Sequence, residues 1–79
     1  MTMKKPTYQE FYDAVVEDYR PSSMLTGEAF DMAIKENEDV IEDGYNRLCY
    51  YIEHGPIGNE KLSFEGQVYA ASYNLYMLI

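Results

Sequence analysis

Apolar residues recur along this chain at alternating intervals of three and four, the spacing that gathers side chains on one face of a helix. The first set is Tyr8, Phe11, Tyr12, Val15, Val16 and Tyr19, with Glu10, Asp13 and Glu17 on the opposite side. Thr7 and Glu10 stand at capping-box spacing, in which each side chain satisfies a backbone N–H that the helix start leaves orphaned. Arg20 suits the negative end of a helix and Pro21 cannot continue one, so a helix is predicted over 7–20.

A second stripe runs Phe30, Ala33, Ile34, Asn37, Val40, Ile41, Gly44, Tyr45, Leu48, Cys49 and Ile52, and it holds helical phase throughout. Thr26 is placed to cap it, Glu28 and Asp31 suit its positive first turns, and His54-Gly55-Pro56 is a strong stop. One long helix over 27–54 is the expectation, with a break near Asn37 and two helices as the alternative. Gly44 on the inward stripe costs roughly 1 kcal/mol relative to alanine, which points to a close helix crossing at that position.

After a loop over 56–62, Ser63 caps a third helix over 63–78. Its inward row is Phe64, Val68, Ala71, Ser72, Leu75 and Ile79, while Tyr69, Tyr73 and Tyr76 line roughly the opposite flank. No charged side chain follows Glu65, and a helix apolar or aromatic around most of its circumference is normally surrounded by protein. Either this helix is the central element, or its tyrosine row meets another chain. The predicted fold is therefore all-α, a compact bundle of three main helices forming a single domain over 1–79.

Composition adds mainly charge to this picture. Hydrophobic residues make up 47% of the 79, too many for a disordered chain and near the lower size limit for an unaided core. The formal charge is −8, so the basic footprint that nucleic acid requires is missing and direct nucleic-acid binding is not expected. The single cysteine, Cys49, excludes an internal disulfide and a cysteine-based metal cluster, and a reducing intracellular setting follows as the default. The frayed, mildly basic stretch over 1–5 lacks the apolar core of a signal peptide. The uncharged run over 66–79 is too short to span a membrane. The expected location is the cytoplasm.

The candidate chemistry is thin. Cys49 falls on the inward stripe, where an inert thiol is expected. The only histidine, His54, sits where imidazole helps to finish a helix, and five residues from Cys49 it lies on a different face. The stretch NEDVIEDG has the composition of a calcium loop but not its D-x-[DN]-x-[DN]-G pattern, and Val40 and Ile41 belong to the stripe. No catalytic residue, cofactor or metal ligand is therefore assigned, and a non-enzymatic protein is expected.

The acidic side of the second stripe is a sharper feature. Glu28, Asp31, Glu38, Asp39, Glu42 and Glu53 lie opposite the apolar residues, with Glu36 and Asp43 on a shoulder. Most charge-rich helix faces are simply solvated. A merely wet face usually mixes signs, however, because like charges at i,i+4 repel by a few tenths of a kcal/mol. Here Glu38–Glu42 and Asp39–Asp43 are such pairs, and over 7–55 twelve acids stand against three bases. A partner rich in Lys and Arg would give that self-repulsion a use, since acidic surfaces speed and orient association with basic ones.

Small acidic phage-encoded inhibitors of restriction and CRISPR nucleases act in this way, setting carboxylates where nucleic-acid phosphates would bind. This chain is similar to them in size and charge. The resemblance implies a protein-binding, nucleic-acid-mimicking inhibitor, with Glu38, Asp39, Glu42 and Asp43 as the leading contacts and Glu28 and Asp31 next. The alternative is a small structural or regulatory subunit that homodimerises through Tyr69, Tyr73, Tyr76 and Met77, its charge serving solubility. Tyr8, Tyr12, Tyr19 and Tyr45 are stripe residues expected in or beside the core.

Overall fold

Thr7 opens the chain's first helix in the way its spacing predicts. Its hydroxyl accepts a hydrogen bond from the Glu10 N–H, and its own N–H donates to Glu10 Oε1, completing the capping box. The computed structural model describes residues 5–54 and 63–79, and every regular element among them is helical. Helix α1 spans Tyr8–Tyr19, α2 Gly27–Glu36, α3 Glu38–His54 and α4 Phe64–Leu78, with one 3-10 turn at Arg20–Ser22. The architecture is thus the small all-α bundle expected from the hydrophobic periodicity. Gly55-Pro56 of the expected helix stop, the loop over 56–62 and the frayed end over 1–4 lie outside the described residues.

The single rod expected over 27–54 is corrected to two helices, divided at Asn37. In an unbroken helix the Asn37 N–H would bond to the Ala33 carbonyl four residues back. Instead the Asn37 side-chain amide donates to Ala33 O at 2.8 Å, and its backbone N–H moves to Ile34 O at 3.0 Å. Asparagine readily competes with the backbone in this manner, and here it both finishes α2 and starts α3. At the other end of α2, Thr26 occupies the cap position without a side-chain cap bond, and Gly27 takes a positive φ of 59°. Only glycine holds that conformation readily.

The break lets α2 turn Phe30 onto the end of α1, and Ile34 is buried one turn further along. The Phe30 ring stacks on Tyr19 with centroids 5.8 Å apart, and the Arg20 guanidinium lies 4.6 Å from the Phe30 centroid on its face. The main core forms where α1, α3 and α4 meet. It contains Phe11, Val15, Ile41, Leu48, Ala71 and Leu75, with Tyr8, Tyr12, Tyr45 and Phe64 packed around it. Phe11 meets Phe64 edge-on at 6.0 Å, while Tyr19 and Ser22 at the far end of α1 approach Tyr76, so α1 and α4 run in the same direction.

Gly44 occupies the crossing that its place on the stripe predicts. A Cβ built there would stand 3.3 Å from both the Ala71 Cβ and the Phe11 Cζ. The absent side chain therefore lets α3 approach α1 and α4 together. Helix α4 packs against both through Gln67, Val68, Ala71, Ser72 and Leu75, and its tyrosine flank stays exposed.

Candidate functional site

Helix α3 places the leading acidic residues in its first two turns. Beginning the helix at Glu38 puts Glu38 and Asp39 at a positive N-terminus, which stabilises carboxylates locally. That position offsets part of the repulsion within Glu38–Glu42 and Asp39–Asp43, a compensation that an unbroken rod would lack. Glu28 and Asp31 lie on α2, across the Asn37 break. The six residues are therefore distributed over two helices instead of one continuous row. All six are exposed except Glu38, which is half-buried.

Within α3 the four carboxylates divide again. Glu38 and Glu42 lie on the side facing α1 and border a groove of about 400 Å³ with Tyr8, Tyr45 and Asn46. Asp39 and Asp43 lie on the side facing α4 and border a groove of about 540 Å³, with Gly44 and Ala71 among its lining and Asn74, Met77 and Leu78 along its α4 wall. The crest of α3 thus carries two short acidic rows with an open groove beside each.

Their neutralisation is uneven. The Arg47 guanidinium pairs with Asp43 Oδ2 at 2.8 Å, and the Tyr12 hydroxyl donates to Glu38 Oε1 at 3.4 Å. Asp39 and Glu42 make no ion pair among the described residues, and neither do Glu28 and Asp31. The other two ion pairs join Lys5 to Glu53 and Arg20 to Glu17. Burial, together with the nearby Glu38 charge, raises the pKa of the Tyr8 and Tyr12 hydroxyls above their ordinary value, with Glu42 adding to the effect on Tyr8. The Tyr45 hydroxyl donates to the Pro6 carbonyl at 2.7 Å, and its pKa is raised by burial and by the neighbouring Cys49 side chain.

Cys49 is half-buried on α3, more accessible than a core position implies. His54 is exposed, its ring 4.3 Å from that of Tyr50. Among the described residues no group of three His, Cys, Asp or Glu side chains is arranged to hold a metal ion, and no helix is long and apolar enough to cross a membrane.

The second predicted surface is also on the outside. Tyr69, Tyr73, Tyr76 and Met77 are all exposed, with the three tyrosines on the α1 side of α4. Two residues not anticipated there, Met24 and Leu25 of the α1–α2 connection, join Tyr76, Met77 and Ile79 around a groove of about 380 Å³. Helical periodicity ranks only residues within helices, so a turn that folds back beside α4 gave no signal. No protein-family model, curated protein or solved structure matches the chain.

Proposed function

We propose that the protein is a non-catalytic binding module whose acidic helical surface engages a basic protein surface. In its most concrete form it is an intracellular inhibitor of phage or mobile-element origin that occupies the nucleic-acid groove of a host nuclease. The reading is supported chiefly by exposed carboxylates that make no ion pair among the described residues, Asp39 and Glu42 on α3 and Glu28 and Asp31 on α2. Placed against lysines and arginines, these groups would meet the charge they lack within their own chain.

The test is charge reversal at Asp39 and Glu42, leaving Glu38 in place because of its bond to Tyr12. The double variant Asp39→Lys, Glu42→Lys is expected to keep its helical circular dichroism. It should lose capture of a basic nucleic-acid-binding protein by roughly tenfold or more, about 1.4 kcal/mol. Capture by the unaltered chain should weaken as salt rises, and the captured protein should lose access to its nucleic acid. Capture unaffected by both reversal and salt would rule the reading out.

A further inference from the structure

Among the described residues, most of the exposed large apolar side chains lie on the α1–α4 side, with Met32, Tyr50 and Leu78 elsewhere. Tyr69, Tyr73 and Tyr76 stand 67%, 52% and 57% exposed, and Met24 of the neighbouring connection is 98% exposed. Two grooves run between them, of about 240 and 380 Å³, and they share Ser22 and Tyr76, so the surface is continuous. Among the described residues, Asp18 is the only charged side chain lining either groove. Glu17, Asp18 and Glu65 border a separate groove toward the N-terminal end of α4, where the neutral surface gives way to charge.

We propose that this surface takes a second copy of the same chain, paired through a twofold axis that sets the tyrosine row of each protomer against the Met24–Leu25 groove of the other. The assignment is independent of the acidic-face reading. Two bodies of charge −8 repel, and the face with little of that charge is where their close approach is opposed least. An isologous contact also needs projecting and receiving elements on one patch, and here the tyrosines project beside grooves that can receive them.

The area is adequate as well. The partly exposed Tyr69, Tyr73, Tyr76, Leu25, Met77 and Ile79, with the almost fully exposed Met24, present together on the order of 800 Å², the amount each partner buries in a standard interface. Because α3 lies across the core from the α1–α4 side, such a dimer would carry its two acidic crests on opposite outer surfaces.

Sedimentation of the full chain at low and high salt tests this directly. The expected mass is twice the 9.2 kDa protomer, with the dimer fraction rising as salt screens the mutual repulsion. Tyr73→Glu and Met24→Glu each bury an unpaired carboxylate in the apolar contact and should weaken self-association at least tenfold. Both positions are exposed, so circular dichroism should stay helical. Asp39→Lys with Glu42→Lys should leave a dimer in place, which separates this outcome from failure of the acidic-face reading. A monomer at all concentrations in high salt overturns the proposal, as does a dimer indifferent to both glutamate substitutions. A monomer that floats with neutral phosphatidylcholine vesicles would put lipid on this face and overturn it equally.

Discussion

Single residues decide how closely these helices approach. Gly44 was legible because an expensive helix residue stood on an otherwise apolar stripe, and the structure sets it against Phe11 and Ala71. Gly44→Leu is expected to lower stability by about 2 kcal/mol, overpacking outweighing a helix-propensity gain of roughly 1 kcal/mol. A lower urea midpoint with unchanged slope would register that loss, and an unmoved midpoint would mean the crossing is loose. Thr7 and Ser63 were equally legible as caps, since each needs only a hydroxyl three residues before a free N–H. Gln67 was not. A buried glutamine on an inward face reflects its surroundings, which periodicity does not carry.

At the scale of elements, the first and last helices follow their apolar patterns, while the middle of the chain does not follow its own. The stripe over 27–54 keeps phase through Asn37, so periodicity alone favours one rod. The competing term is a local hydrogen bond, the Asn37 amide taking the Ala33 carbonyl, and it wins with Phe30 docked on the α1 end and Ile34 buried. Helix α2 is consequently held by few buried groups, Phe30 and Ile34 alone being buried within it. Phe30→Ala is expected to cost about 3–5 kcal/mol locally. Amide hydrogen exchange should show this as faster exchange across α2, with α1, α3 and α4 far less affected. Uniform loss of protection in all four helices would show instead that α2 unfolds only with the whole.

For the molecule as a whole, the charge distribution outweighs the count of ion pairs. The three pairs among the described residues are all exposed, and exposed pairs contribute roughly 0–1 kcal/mol each. Set against them is a net charge of −8 on 79 residues. Added salt is therefore expected to raise the urea midpoint of the isolated chain, because screening relieves repulsion more than it weakens the pairs. A midpoint that falls with salt would mean the pairs dominate. The sign of the surface was legible from composition. Its division into separate rows was not, because the rows depend on which neighbours flank α3 and on the register of α1 and α4.

That division constrains the shape of anything that would bind there. With Glu38 and Glu42 opening toward α1 and Asp39 and Asp43 toward α4, a flat slab of positive charge laid on the crest would reach one side fully and the other poorly. A trench about 10–12 Å across, the girth of a helix with its side chains, would admit α3 as a wedge and touch both sides at once. Concavity, as much as charge, would then separate a true receptor from the many merely basic proteins in a cell.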